Sequence, residues 1–118
     1  MVRLHTASGV EVCARCMVAD SPLRRMRGLL GRDGLATGEG LLIRPSNAVH
    51  MFFMRFSIDA VFLDGEHRVL RVAADLRPWR MAACRGAKAV LELPAGRCAA
   101  IGLHEGERLM SDPPRAPA

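Results

Sequence analysis

The stretch from His50 to Gly65, HMFFMRFSIDAVFLDG, decides the fold. It carries most of the aromatic residues and the longest apolar run, with two polar side chains, His50 and Asp59, set among them. The pattern predicts two strands separated by a break at Arg55-Phe56-Ser57 and closed by a turn at Asp64-Gly65. In the first, an extended backbone puts His50, Phe52 and Met54 on one face and Met51, Phe53 and Arg55 on the other. In the second, Ile58 to Leu63 is apolar on both faces except at Asp59, the signature of a central strand covered on both sides.

Working outward, Asp64-Gly65 turns the chain back into a strand over 67–74 and makes a hairpin. Upstream, GLLIR (40–44) reads as a buried strand. Residues 10–18 form another, with Val10, Val12, Ala14 and Cys16 toward the core, and 1–4 form a short edge strand. Asp20-Ser21-Pro22 is a helix start, followed by the apolar stripe Leu23, Met26, Leu29 and Leu30. Gly28 inside that helix would cost about 1 kcal/mol against alanine unless a close backbone approach requires it. Downstream, 75–88 reads as a long crossing loop anchored by Trp79. AVLEL (89–93) is a strand, and a short helix runs to about Ile101 with Cys98, Ala99 and Ile101 inward. A last strand covers 108–110. The expectation is a β-rich α+β domain over 1–111, about seven strands and two short helices in a small curled or barrel-like sheet, with 112–118 a disordered Pro-rich tail.

A chain of 118 residues, half of them hydrophobic, is long enough for one independent core. Basic residues exceed acidic ones by five and are spread evenly along both halves, so there is no basic tail. Nearly all of them are arginine, suited to phosphate and carboxylate contacts, but without a clustered basic footprint codon usage in a GC-rich genome is the favoured account of the bias. No apolar leader opens the sequence and no stretch approaches the roughly 20 apolar residues of a membrane span. A cytoplasmic protein with four reduced cysteines is the expectation.

Several stretches together resemble one family. They are Arg24-Arg25-Met26-Arg27-Gly28-Leu29-Leu30-Gly31-Arg32, the run from His50 to Asp64, Leu91-Glu92-Leu93-Pro94-Ala95-Gly96, and Gly102-Leu103-His104-Glu105-Gly106-Glu107. Their order and spacing look like the prokaryotic domain of unknown function 192. The resemblance implies a barrel-like domain without an assigned activity, and Arg27, Gly28, Arg32, Met54, Arg55, Asp59 and Glu92 fall on its pattern. The Cys13-x-x-Cys16 pair does not.

Asp59 is the most informative polar residue, because a carboxylate among apolar neighbours needs a partner. It is either a site acid or a structural group paired with Arg27, Arg32 or Arg55, or with backbone N–H groups of the 55–57 break. Glu92, inside AVLEL, would be its acidic neighbour if the two converge. His50 is a candidate base or ligand, but the four histidines lack zinc-site spacing. In a regular strand Cys13 and Cys16 point to opposite faces, which argues for small buried thiols rather than a redox pair.

Three functions follow. The favoured one is a non-enzymatic binding module for a small ligand or protein, its mouth lined by His50, Phe52, Met54, Arg55, Asp59, Arg27, Arg32 and Glu92. The alternative is a hydrolase or metal-assisted enzyme using Asp59, Glu92 and His50. The weakest is a nucleic-acid binder, since exposed aromatics for base stacking are not expected. No cofactor and no resident metal are expected.

Overall fold

The structure, a computed structural model, describes residues 1–112, apart from the side chain of Met26. The order of elements is β1 Val2–Thr6, β2 Glu11–Ala19, α1 Pro22–Arg27, β3 Glu39–Ile43, β4 Ala48–His50, β5 Ile58–Leu63, β6 Val69–Leu76, β7 Met81–Ala83, β8 Ala89–Pro94, α2 Arg97–Ile101 and β9 Leu109–Asp112. Seven strands form one sheet in the order β6-β5-β8-β3-β2-β1-β9, while β4 and β7 pair with each other. The two edges of the large sheet approach at one end, where the Val69 N–H donates to the Glu107 carbonyl at 2.7 Å and the Leu109 N–H to His67 at 2.9 Å. The sheet is therefore curled into a half-barrel, the β-rich α+β architecture expected from the sequence.

The pattern of β5 explains its place. All six of its residues are buried, and it lies between β6 and β8, with an apolar layer on either face. Val61, Leu63, Leu91 and Leu93 point into one layer with Leu4, Val12 and Cys98. Ile58, Ala60, Phe62 and Val90 point into the other with Leu41, Ile43, Val49 and Met51. Leu41 pairs with Glu92 and Ala60 pairs with Glu92 across the adjacent strands, so Glu92 belongs to the second layer. The β5–β6 hairpin is as expected, its turn held by the Asp64 carboxylate, which accepts the N–H groups of Glu66 at 2.8 Å and Arg68 at 2.9 Å.

Strands β2 and β3 are parallel neighbours, so the chain must cross over between them, and α1 is that crossover. Ser21 caps it by accepting the Arg24 N–H at 3.2 Å, with Pro22 in its first turn. The helix is shorter than the apolar stripe suggested. It ends at Arg27, and Gly28 is its C-terminal cap at φ 48°, not an interior residue, so no helix-interior penalty applies. Of the stripe, Leu29 is buried, but Leu23 is 74% exposed and Leu30 lies at the surface. A single turn of helix cannot bury residues on both its ends against one sheet.

Other expectations are corrected. β1 is not an edge strand, because β9 pairs along its outer side through Asp112, so the last strand outruns the anticipated end at 110–111. The proline-rich tail from Pro113 onward lies outside the described residues. The loop at 75–88 contains β7, and Trp79 is 60% exposed rather than an anchor. In α2, Cys98 is inward but Ala99 is exposed. The register slips between Val2↔Cys16 and Leu4↔Cys13, so three residues of β2 oppose two of β1. This bulge returns Cys13 and Cys16 to the same buried layer rather than to opposite faces. The Cys16 thiol is pushed far up by its hydrogen bond with Cys13 and by burial, which keeps it protonated. Among the described residues no helix is long and apolar enough to cross a membrane.

Gly40 shows how tightly β3 is held. A methyl group there would lie 2.8 Å from Cys13 Sγ, 3.0 Å from the Glu92 carbonyl oxygen and 3.1 Å from Leu93 Cδ2. The carbonyl belongs to a paired strand and cannot retreat cheaply. Gly40→Ala is expected to lower stability by roughly 2–3 kcal/mol in urea unfolding. A loss below about 0.5 kcal/mol would mean that β3 and β8 are not packed as described.

Candidate functional site

The four residues of β4 and its exit, Ala48 to Met51, lie beside α1 above the second apolar layer, and together they bound a pocket of about 380 Å³. That is within the usual range for small-molecule sites. Ile43, Val49, Met51, Met54 and Leu29 make its apolar walls. Glu92 lies in it, and Arg25, Arg27 and His50 complete the polar lining. The Arg25 guanidinium donates to the Pro45 carbonyl at 3.3 Å, tying α1 to the chain before β4.

Glu92 is the unusual group. It is 5% exposed, and among the described residues no hydrogen bond or ion pair reaches its carboxylate. Burial alone pushes its pKa up to about 7. Its strand neighbours Leu41 and Ala60 are apolar and have nothing to donate. The carboxyl thus sits where a partner is missing on the protein side and a cavity begins.

Asp59 is the opposite case. Its Oδ1 accepts the N–H of Asp75 at 2.9 Å and of Gly96 at 3.2 Å, and its Oδ2 accepts the N–H of Cys98 at 2.9 Å. It caps α2 and secures the end of β6, so main-chain donors satisfy it, not an arginine and not the 55–57 break. The Cys98 thiol is pushed up to about 12 by burial and by the neighbouring Asp59 charge. Asp59 pairs across the sheet with Leu93 and therefore faces the layer opposite Glu92. The two carboxylates do not converge.

The arginines named from the sequence are scattered. Arg27 lines the pocket, Arg32 is 3.2 Å from Glu39, and Arg55 is 2.9 Å from Asp33. The structure thus brings His50, Met54, Arg27 and Glu92 together and leaves Asp59, Arg32 and Arg55 elsewhere. Phe52 lies just outside. The chain is not extended after His50, because β4 has a partner for only three residues and then turns, with the Met54 N–H donating to the Met51 carbonyl at 3.2 Å. Met51 drops into the core, while Phe52 and Phe53 turn outward.

There they meet Trp79. The Phe53 and Trp79 rings are 4.9 Å apart, Phe52 and Trp79 are 6.0 Å apart, and His50 lies 5.0 Å from Phe52. Phe53 and Trp79 both adopt left-handed backbone, φ 64° and 71°, which non-glycine residues seldom do. The Trp79 N–H bond to the Met51 carbonyl at 2.8 Å holds the two turns together. The exposed aromatic shelf runs from the pocket mouth through His50, contrary to the expectation that no aromatics would be exposed. Alternation in HMFFM concealed it. Arg25, Met51, Phe53 and Trp79 were not among the candidates; only the Met-Phe-Phe-Met composition hinted at them.

A second cleft of about 510 Å³ lies across α1 from the first, lined by Arg24, Arg32, Asp20 and the apolar residues of β2. Its Arg32 is already engaged by Glu39, and it contains no buried carboxylate.

The sequence profile of domain of unknown function 192, described as "Uncharacterized ACR", matches residues 3–111. The chain belongs to this family. A "UPF0127 protein" of Pyrococcus furiosus is 33% identical over 110 residues, covering 90% of this chain and 94% of the relative. Another, from Thermococcus sibiricus, is 34% identical over 98 residues, covering 79% of this chain and 63% of that longer protein. A crystal structure of a protein of unknown function from Novosphingobium aromaticivorans superposes with a TM-score of 0.80 at 25% identity, covering 92% of this chain and 81% of that one. That solved structure thus has the same fold as this chain, and none of the proteins named here carries a stated activity.

Proposed function

We propose that this family member is a non-enzymatic binding module that takes a small ligand in the pocket floored by Glu92. The observation that carries the reading is the nearly buried carboxyl with no protein partner, opening into a cavity of ligand size. A group of this kind costs stability, so it is explained best by what it binds. Apolar walls with a few converging polar groups are the usual composition of such sites. The enzyme alternative is weakened because Asp59 faces away and its oxygens are occupied, leaving His50 without the paired carboxylates it invoked.

Ala48 lies at the pocket edge on the exposed side of β4, so Ala48→Trp narrows the pocket without touching the core. Compounds from a fragment set that raise the melting temperature of the wild-type chain are expected to lose at least tenfold in affinity for this variant. A ligand at a hundredfold its Kd adds about 2.7 kcal/mol, a shift of several degrees in a domain of this size. A fragment set that leaves the wild type unmoved, or that binds Ala48→Trp equally well, sinks the reading. The aromatic shelf does lend the nucleic-acid alternative a stacking platform, and a low-salt gel shift with single-stranded DNA measures it directly.

A further inference from the structure

Arg25 already donates to Pro45, the β3 and β5 neighbours of Glu92 are apolar, and among the described residues neither Arg27 nor His50, the rest of the charged or titratable lining, forms a hydrogen bond or ion pair with Glu92. The missing partner of the carboxylate is therefore a hydrogen-bond donor, preferably cationic, that arrives with the ligand. It has to arrive on an apolar carrier, because Ile43, Val49, Met51 and Met54 line the approach. The two thioethers are polarisable and adapt to a flexible alkyl chain.

Resting on the binding reading above, we infer that this pocket binds an organic ammonium ion on an apolar body, with Glu92 as its counter-ion between Leu41 and Ala60 and the methylene chain against Met51 and Met54. Two sources offer that chemistry, a free alkyl amine and the amino terminus of a peptide that begins with an apolar residue. The ammonium N–H groups supply at Glu92 the hydrogen bonds that burial removes. Among the described residues, the other charged or titratable groups lining the same cavity are Arg25 and Arg27 of the α1 segment and His50 of β4. Protonation of Glu92, whose pKa lies near 7, competes with the ligand. The ionised fraction rises from about one-tenth at pH 6 to about nine-tenths at pH 8, so affinity for an alkyl amine, charged throughout, rises roughly tenfold over that interval, and affinity for a peptide amino terminus, itself about half neutral at pH 8, rises about three- to fivefold.

The test uses the full chain with methionine methyl groups labelled with carbon-13, so that Met51 and Met54 report from the pocket. Hexylammonium chloride, hexan-1-ol, sodium hexanoate and the tripeptide Leu-Ala-Ala, with a free or an acetylated amino terminus, are titrated at pH 6 and pH 8. The amine, the free-terminus peptide or both are expected to move the two methyl signals at least tenfold more tightly at pH 8 than hexan-1-ol does, with a loss at pH 6 of roughly tenfold for the amine and about three- to fivefold for the peptide. Glu92→Gln, which keeps the shape of the side chain, is expected to remove both the preference and its pH dependence. Tighter binding of hexylammonium than of the free-terminus peptide assigns the site to free amines, and the reverse assigns it to peptide termini. Equal binding of hexan-1-ol or hexanoate, or an amine preference that survives in Glu92→Gln, overturns the ammonium assignment and leaves the binding module standing. If neither these probes nor the fragment set moves the pocket methyl groups, both readings fall.

Discussion

Asp59→Ala is expected to destabilise the fold by about 4 kcal/mol, near the upper end for a single substitution. The carboxylate is fully buried and collects three main-chain N–H groups, from Asp75, Gly96 and Cys98. Removing it leaves the buried Cys98 donor and the two part-buried donors without their acceptor, at about 1–3 kcal/mol for the buried one, less for the others, with the lost packing of a fully buried side chain added. Two of the three belong to the start of α2, whose residue before the helix is a glycine with no side chain to cap it. The carboxylate of β5 supplies the missing cap from 37 residues away. Asp59→Asn keeps the acceptor geometry at one oxygen and should cost about half as much. Urea unfolding followed by circular dichroism measures both, and amide exchange at Cys98 should accelerate first. A loss under about 1 kcal/mol for the alanine variant would show that α2 does not depend on Asp59.

The second large effect has the opposite sign. Glu92→Gln is expected to stabilise the protein by up to about 3 kcal/mol at pH 8 and by almost nothing at pH 4. The direction follows from proton linkage. Burial raises the Glu92 pKa from 4.5 to about 7, so between those pH values the native state holds a proton that the unfolded chain releases. The associated stability is complete below about pH 4.5 and disappears as the pH rises through 7. At about 1.4 kcal/mol per pH unit the total is on the order of 3 kcal/mol. Urea unfolding at pH 4, 6 and 8 separates the variants, and wild-type and Glu92→Gln stabilities that run parallel across this range would refute the account. A side chain that weakens its own fold near neutral pH, when a glutamine would not, agrees with the binding role argued for it.

The two acids also show how far the sequence could be read. Both stand out in the same manner, as single carboxylates in apolar strands. That pattern established burial and strand class correctly, because alternation and composition report exposure directly. It did not report the partner. Asp59 is satisfied by donors 16, 37 and 39 residues away, and Glu92 by none among the described residues. Which face each acid takes depends on the β5–β8 register, where Asp59 meets Leu93 and Ala60 meets Glu92, and a shift of one residue would bring both to a common face.

Where sequence reasoning failed, a regular period was assumed through an irregular segment. Extended geometry for HMFFM put His50, Phe52 and Met54 on one face, but β4 runs out of partner after three residues. Past that point the aromatics are placed by Trp79, in another loop. The same assumption separated Cys13 from Cys16, until one bulge brought them to a common side.

By itself the sequence determined the curled, strand-rich class, the buried β5, the Asp64 turn and the Ser21-Pro22 helix start. Each of these is local, settled by solvent exposure or by backbone preference within a few residues. Only the tertiary structure decided that Asp59 is a cap, that Glu92 floors a pocket and that Phe53 and Trp79 share a shelf. These depend on strand register and on contacts between distant segments, because a polar side chain announces its need for a partner but not where in the fold that partner will be.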